Sequence, residues 1–499
     1  MQVHKQVNVF KTKEVSMKAN LTPYLRPFAS ACMILLNVTM PTAYAEEAEK
    51  FVAKLKNHYQ STLNINAFSL SHHYLNKQYR SHDYWDYQTP NRIMAQRTVE
   101  IDLVNKHFYD NDIYYTSGGR LLDRAHFQND THSFAYEMNG SSLGKRIINQ
   151  GMGQFFRMGF ILLDVDFLAV RPLFTETNIE GNITLHQNKK SETTTLTHTT
   201  SDDNVVVYEF SNTPLQLMSL NDKLKRTFFV YEDYQTARGL TYARTVSQHI
   251  DGATEPNYII YNDQFEVIDK VELTKLSVPE GYGPEIPKSD GVLVSKEIGK
   301  DLYLVNDSGA WSNSLFKVNG DEIMVFGASG YPELAEKTIK LIKEQFPKKT
   351  INSVYVSHPH GHVIDGLKPY VDLGVEILAD EYSIAAIKAY PDFANDISKF
   401  KFRTIEHEQA IDGANFYVLE NLHAKRQSFV YFKDSEIIFQ SHFLHIPFDN
   451  TIAKVIPSYS RTFIDFVRRK QLKFNRIVGN YMNNNISVEV MNKTYNAIM

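Results

Sequence analysis

VYVSHPHGHVIDG, residues 354–366, is the stretch that decides the fold of the second half of this chain. An apolar, strand-like run leads directly into three histidines at alternate positions, His358, His360 and His362. Imidazole is the commonest protein ligand for zinc-like metals, and closely spaced histidines can converge on one ion. The stretch therefore predicts a metal site at the end of a β-strand.

Strands and helices alternate on both sides of this stretch, from residue 290 to residue 499. The pattern predicts strands at 302–306, 314–318, 322–326, 353–356, 376–378, 414–419, 428–432, 436–439 and 476–478. It predicts helices at 332–345, 366–373, 382–390, 460–471 and from 488 onward. Such alternation is typical of a domain whose sheet faces are covered by helices.

The first half has a different period. An amphipathic helix is expected over 46–63, and from Phe68 onward apolar and polar residues alternate with period two. One or two helices are expected within 147–174, before strands resume at 183. We therefore predict a helix-capped, curved antiparallel sheet over 46–277. The Pro- and Gly-rich residues 278–289 are predicted to be a linker.

Residues 1–45 are predicted to be an N-terminal extension and a secretory signal. Met17 offers a second start, a short apolar stretch follows, and Ala43-Tyr44-Ala45 fits the small-x-small cleavage pattern. The apolar stretch is too short for a membrane span, so no integral span is expected in the mature chain. The only cysteine, Cys32, lies in this region, so no disulfide is expected. A periplasmic or secreted location follows from this interpretation.

The composition excludes one class of partner. The net charge of -4 is small for 499 residues and gives no electrostatic attraction for nucleic acid. The sequence also has no nucleotide-binding or serine-nucleophile motif in a suitable context. A small-molecule or lipid-like substrate is the remaining expectation, and the oligomeric state stays open.

Residues 290–499 resemble the metallo-β-lactamase superfamily, an αββα sandwich of metal-dependent hydrolases. The resemblance rests on the family pattern His-x-His-x-Asp-His followed by glycine. His358 and His360 stand where the first two histidines belong, and Gly366 fits the closing glycine. His362 stands at the aspartate position, and Val363 stands at the third histidine position. The overall fold class predicted for the chain is therefore α+β.

The resemblance extends to the later ligands of the family. His423, before a predicted strand, fits the later lone histidine, so His358, His360 and His423 are the expected ligands of one zinc ion. Three histidines and a water suffice for catalytic Zn²⁺. His442 stands where the family has a bridging aspartate, and Asn480 replaces the final histidine. A second ion in its ordinary place is not expected.

The roles of His442 and His362, which stand at two aspartate positions of the family pattern, have alternatives. His442 is expected to be a fourth metal ligand, which would close the shell and make the site structural, unless a position for water stays free. His362 is the expected catalytic base. His445, three residues after His442, is a further imidazole near the same loop.

Two functions follow from these observations. The first is a periplasmic metal-dependent hydrolase with one ion and an unknown substrate. The second is a non-catalytic periplasmic binding protein for an apolar ligand or a partner, with a degenerate metallo-hydrolase domain. The second draws on a weaker resemblance of the first half to periplasmic lipoprotein carriers, which carries no diagnostic motif.

Overall fold

The computed structural model describes residues 42–77, 83–175, 182–306, 311–328 and 330–498. The chain is a sheet-rich α+β protein, as expected from the sequence. The strands in chain order are β1 Ala67–Lys77, β2 Arg92–Asp102, β3 His107–Thr116, β4 Arg120–Gln128, β5 Ser133–Glu137, β6 Ile148–Asn149, β7 Ile183–Asn188, β8 Thr193–Thr199, β9 Val205–Asn212, β10 Leu215–Asp222, β11 Thr227–Ala237, β12 Leu240–Ile250, β13 Tyr258–Val267, β14 Val294–Gly299, β15 Leu302–Asn306, β16 Ser314–Asn319, β17 Glu322–Phe326, β18 Thr350–Tyr355, β19 Glu376–Ala379, β20 Lys401–Thr404, β21 Gln409–Ile411, β22 Ala414–Asn421, β23 Lys425–Phe432, β24 Ile437–Gln440 and β25 Arg476–Gly479.

Most helices are short. They are α1 Thr42–His58, α2 Gly159–Leu162, α3 Asp166–Ala169, α4 Pro172–Thr175, α5 Pro332–Gln345, α6 Gly361–Ile364, α7 Lys368–Asp372, α8 Glu381–Lys388, α9 Ser458–Arg469 and α10 Val488–Tyr495. In the described residues, no helix is both long and apolar enough to cross a membrane. The predicted signal segment lies outside the described residues up to position 41, and its last residues begin α1.

The contacts divide the chain into two compact units. The first unit comprises Met1–Ser61 and Val170–Lys225, and the second comprises Thr62–Ala169 and Arg226–Met499. In the first unit, α1 lies against β7 and α4, and strands β7 to β10 pair as antiparallel neighbours. Phe51 of α1 meets Phe210 of β9 edge to face, with ring centroids 5.7 Å apart. The amphipathic period of the helix therefore buries its apolar face on a sheet. The sequence-derived boundaries at 46–277, 278–289 and 290–499 stay a prediction.

The second unit contains an antiparallel sheet with the strand order β6-β5-β4-β3-β2-β1-β13-β12-β11. Short helices lie on its β11–β13 end. Asn262 of β13 donates a hydrogen bond to the Asp164 carbonyl oxygen at 2.7 Å, and the Ala243 N–H donates to Asp166 at 3.0 Å. The short helices α2, α3 and α4 lie where the sequence predicted one or two helices within 147–174.

The same unit contains two further sheets. The first has the order β14-β15-β16-β17-β18-β19-β20, and it is parallel from β17 to β20. The second has the order β21-β22-β23-β24-β25, with β24 and β25 parallel.

These two sheets pack face to face, and helices cover their outer faces. On β17, Ile323 and Val325 face a core shared with α5 and α8, while Met324 and Phe326 face the other sheet. Strands that are buried on both faces have a continuous apolar sequence rather than an alternating one. Helices α9 and α10 cover the outer face of the five-stranded sheet, where Phe463 packs on Phe429.

Several details differ from the sequence prediction. The helix expected at 366–373 is two short helices, and α6 begins at Gly361, inside the histidine stretch. The strands β8, β10, β14, β20 and β21 were not predicted. Strand β8 is almost entirely threonine, so its two faces differ little in polarity and the period-two pattern is weak.

Candidate metal centre

Three connections bring five histidines together at one end of the paired sheets. His358, His360 and His362 follow β18, His423 lies in the turn between β22 and β23, and His442 follows β24. The Ser428 N–H of β23 donates to the Ser357 carbonyl oxygen at 2.8 Å, which joins the histidine stretch to the second sheet. Ligand sites commonly form beyond the carboxyl ends of parallel strands, and β18 ends here.

His358, His360 and His423 form the set of three ligands that the sequence predicted. One ring nitrogen from each lies within 4.8 Å of the others, and all three side chains are buried. The His423 ring centroid is 5.0 Å from that of His358 and 4.5 Å from that of His360. Such a convergence of three buried imidazoles is compatible with one tetrahedral metal position that keeps a fourth place open.

The three rings differ in their hydrogen bonds. His358 Nδ1 is 3.0 Å from the Ser357 hydroxyl, and His360 Nε2 is 3.1 Å from the Tyr84 carbonyl oxygen. Neither ring nitrogen of buried His423 has a hydrogen-bond partner among the described residues. Buried polar groups are nearly always paired, so an orphaned imidazole here fits a metal ligand.

Burial favours the neutral form of the imidazoles of His358, His423 and His442. Desolvation, and then the neighbouring imidazoles, hold the pKa of His358 and that of His423 well below the ordinary histidine value. The same two causes lower the pKa of His442. Neutral imidazole is the form that binds metals, so the lowered pKa values of His358, His423 and His442 favour the form that can ligate.

His442 lies beside this set rather than apart from it. Its Nδ1 is 3.4 Å from His358 Nε2 and 3.3 Å from His362 Nε2, and these three residues form a second group within 4.8 Å. The ring stacks between Tyr481, with centroids 4.9 Å apart, and His445, at 5.2 Å. His442 has a φ of 63°, an uncommon conformation for a residue with a side chain. Strained backbone of this kind concentrates at functional sites.

His362, the predicted base, lies between the cluster and a carboxylate. One of its ring nitrogens faces each of them. Its Nδ1 is 3.3 Å from Asp83 Oδ1, and its Nε2 faces His442. Its role as a base stays a prediction.

Other positions of the family pattern do not join the cluster. Val363 is fully buried in the core under α5 and α8. The Asn480 side chain donates to the Asn313 carbonyl oxygen at 2.6 Å. His445 pairs with the Tyr459 hydroxyl at 2.9 Å.

The sequence analysis missed residues 83–87, here called the 83–87 segment. This segment lies between β1 and β2, yet it contacts the histidine stretch. The Gly361 N–H donates to Asp83 Oδ1 at 2.9 Å, and the Tyr84 carbonyl oxygen accepts from His360. The only signal in the sequence is a run of acids and aromatics, DYWDY, that includes one of the two tryptophans.

An open cleft lies beside His423. It has a volume of about 470 Å³, and its walls include Trp85, Leu422, Lys425 and Tyr459. Trp85 and Leu422 are 42% and 56% exposed, and the Tyr459 ring centroid is 5.3 Å from that of His423. The lining is mixed, because Glu420, Asn421, Ser458 and Thr462 also line the cleft, and none of the five histidines is among its lining residues.

The proteins of known structure that this fold resembles are metallo-β-lactamases and a flavodiiron protein, over about two fifths of the chain. No protein-family model matches the chain, and no curated protein matches it. The metallo-β-lactamase from Pontibacter korlensis is 14% identical, with a TM-score of 0.32, over 41% of this chain and 97% of its own. A metallo-β-lactamase from Hirschia baltica is 13% identical, with a TM-score of 0.32, over 41% and 96%. The flavodiiron protein from Giardia intestinalis is 14% identical, with a TM-score of 0.33, over 40% and 57%. At 13–14% identity, these matches concern the fold alone.

Proposed function

We propose that this chain is a metal-dependent hydrolase with a metallo-β-lactamase-like αββα sandwich, in which His358, His360 and His423 hold one zinc ion. The observation that carries the proposal is the buried imidazole of His423, whose two ring nitrogens lack a partner among the described residues. An unsatisfied buried polar group costs about 1–3 kcal/mol. A bound ion would remove that cost.

The chemistry divides between the ion and the residues around it. A divalent ion supplies Lewis acidity for hydrolysis of an ester, amide or thioester bond and makes water a stronger acid. Ser357 and the Tyr84 carbonyl oxygen hold the rings of His358 and His360. His362 Nε2 accepts a proton during the reaction. Rings that are already fixed need no reorganisation during the reaction, which favours catalysis.

The cleft supports a substrate with an apolar group. Trp85 and Leu422 offer exposed apolar surface beside His423, and the Lys425 ammonium group is paired with Asp86 at 2.5 Å. Because that cation already has a partner, a strongly anionic substrate is not required. We therefore propose a small-molecule or lipid-like substrate and name no particular one.

Metal analysis of protein purified without chelators tests this function. We expect about one zinc, iron or manganese ion per chain in the wild type and its loss in His423→Ala. The matched control is His445→Ala, which removes a nearby imidazole that pairs with Tyr459 instead. Metal-free wild-type protein that takes up no ion on titration would refute the proposal. A panel of ester, thioester and lactam substrates then defines the reaction.

The same titration separates two roles for His442. If His442 closes the shell as a fourth ligand, His442→Ala lowers metal affinity and opens a position for water. If His442 is not a ligand, metal affinity is unchanged.

The alternative, a non-catalytic binding protein, receives less support. The cavity of about 220 Å³ on the antiparallel sheet is lined by polar side chains such as Arg97, Asn111 and Asp263, a poor surface for an acyl chain. Co-purified lipid found by mass spectrometry would favour that alternative. A periplasmic or secreted location belongs to the proposal, and cell fractionation with N-terminal sequencing of the mature chain tests it.

A further inference from the structure

The carboxylate of Asp83, from a distant part of the sequence, lies beside the histidine cluster. Asp83 lies in the 83–87 segment, between two strands of the antiparallel sheet, and its side chain is 23% exposed. Its Oδ1 accepts a hydrogen bond from the Gly361 N–H at 2.9 Å and lies 3.3 Å from His362 Nδ1. Positions 362 and 442, which carry histidines, contribute no acid of their own.

This contact selects one tautomer of His362. An ionised carboxylate only accepts hydrogen bonds, so the bond to Asp83 requires the proton on Nδ1. Nε2 then carries a lone pair. That lone pair is directed toward the cluster, because Nε2 is 3.3 Å from His442 Nδ1, which is itself 3.4 Å from His358 Nε2.

The 83–87 segment is held at Asp83 and after it by bonds that do not involve the cluster, and the Asp83 carbonyl oxygen accepts from the Ser117 hydroxyl at 2.9 Å. Trp85 Nε1 donates to the Asn421 carbonyl oxygen at 2.8 Å. Asp86 accepts from the Tyr382 hydroxyl at 3.0 Å and pairs with Lys425. Asp83 is therefore presented to His362 by an anchored segment rather than by a free loop.

We propose that Asp83 is a positioning residue of the centre: its carboxylate fixes the Nδ1–H tautomer of His362 and directs the Nε2 lone pair toward the cluster. The proposal rests on the proposed function for its catalytic meaning. A carboxylate bonded to the far nitrogen of a histidine base orients the ring and stabilises the imidazolium that forms. The centre is accordingly assembled from two distant regions of the chain.

Nitrogen-15 NMR of histidine-labelled, metal-free, full-length protein at slightly alkaline pH tests the tautomer directly. The His362 signal is assigned by its loss in His362→Gln. We expect Nδ1–H in the wild type and in Asp83→Glu. In Asp83→Asn we expect a shift toward Nε2–H, since an amide can donate to Nδ1. Asp130→Asn is the matched control, because Asp130 also pairs with a histidine, His107 at 2.8 Å, outside the cluster, and it should leave the His362 signal unchanged. An Nε2–H tautomer in the wild type, or an unchanged His362 signal in Asp83→Asn, would overturn the proposal.

Kinetics on the metal-loaded protein test the catalytic meaning. With a substrate that the wild type hydrolyses, Asp83→Asn should lower kcat by about a hundred- to ten-thousand-fold while KM and the metal content change little. A kcat in Asp83→Asn equal to that of the wild type, or an equal loss in Asp130→Asn, would refute the proposal. A wild type without metal or hydrolysis would refute the proposed function, whereas the tautomer result would stand by itself.

Discussion

At the scale of single residues, hydrogen-bond partners distinguish the histidines better than burial does. His423 and His445 are both buried, at 5% and 6% exposure, and their ring centroids are 6.5 Å apart. His445 has a partner in Tyr459, whereas His423 has none on either nitrogen among the described residues. An unpaired buried polar atom lowers stability and calls for an explanation, which a bound ion would supply for His423.

His423→Leu should therefore stabilise the metal-free protein. Removing two unpaired buried nitrogens removes a desolvation cost of about 1–3 kcal/mol, so the free energy of unfolding should rise or stay level. Stabilisation by added zinc should disappear in the same variant. Denaturant unfolding with and without zinc measures both effects. The control His445→Leu should be destabilised, because the Tyr459 hydroxyl loses its partner, and equal behaviour of the two variants would contradict the prediction.

Asp164 should make stability depend on pH. Burial raises its pKa from 3.8 to about 7, and the Arg97 charge opposes this rise only in part. The folded state then holds a proton that the unfolded state releases, so the free energy of unfolding falls as the pH rises from about 4 to above 7. The difference is on the order of a few kcal/mol.

Asp164→Asn should reduce this pH dependence, because a neutral amide keeps the shape without ionising, whereas Asp112 and Asp166, whose pKa values burial raises to about 6, keep their contributions. Denaturant unfolding at acidic and at alkaline pH measures the slope for the variant and the wild type. Asp130→Asn changes an exposed carboxylate, 81% accessible, and should keep the wild-type slope. An Asp164→Asn slope equal to that of the wild type would contradict the assignment.

At the scale of elements, short loops between strands make the contacts around the histidine cluster. The turn Ser117–Gly119 between β3 and β4 lies against α9, where a Cβ on Gly118 would be 2.7 Å from the Tyr459 ring and 2.8 Å from the Leu422 carbonyl oxygen. Tyr459 in turn contacts His423 and pairs with His445. The glycine is therefore required by a close approach next to the centre, in addition to its φ of 77°.

Gly118→Ala should destabilise the protein more than Gly119→Ala. Both glycines have positive φ, so each alanine costs about 1–2 kcal/mol in backbone strain. A Cβ on Gly119 meets nothing within 4 Å, whereas one on Gly118 meets Tyr459, which adds about 1–3 kcal/mol. Denaturant unfolding of the two variants measures the difference, and equal losses would show that the contact with Tyr459 costs nothing.

At the scale of the whole molecule, the antiparallel sheet of the second unit contacts the paired sheets at the histidine cluster and also through polar groups elsewhere. Asn139 donates to the carbonyl oxygens of Leu121 and Val455 and accepts from the Val455 N–H at 2.9 Å. The Pro- and Gly-rich segment predicted to be a linker bonds back as well, since the Gly283 N–H donates to Lys145 at 2.7 Å. These contacts join the antiparallel sheet to the paired sheets within the second unit.

Zinc should slow hydrogen exchange in the 83–87 segment as well as in the histidine stretch. At a zinc concentration about a hundredfold above Kd, opening that breaks the site becomes harder by about 2.7 kcal/mol, or roughly a hundredfold in exchange rate. Exchange mass spectrometry of the peptides covering 83–89 and 357–366 measures the effect. The peptide covering β13, away from the centre, should be unchanged, and protection confined to 357–366 would contradict the prediction.

Local patterns were sufficient for much of the second half of the chain. The helix predicted at 332–345 is α5, and the predicted strands before and after it are β17 and β18, because long periodic runs define an element without reference to its neighbours. The short helices around Gly361 and the threonine-rich β8 escaped prediction. Their conformation depends on what they pack against rather than on a period of their own.

The sequence by itself determined the α+β class and pointed to His358, His360, His362, His423 and His442, since these follow from periodicity and motif register. Only the tertiary structure brought Asp83 and the Tyr84 carbonyl oxygen to that cluster and directed Asn480 and His445 to other partners. The physical reason is that a contact between residues 278 positions apart leaves no periodicity in either segment. It exists only once two sheets and their connections have been placed in space.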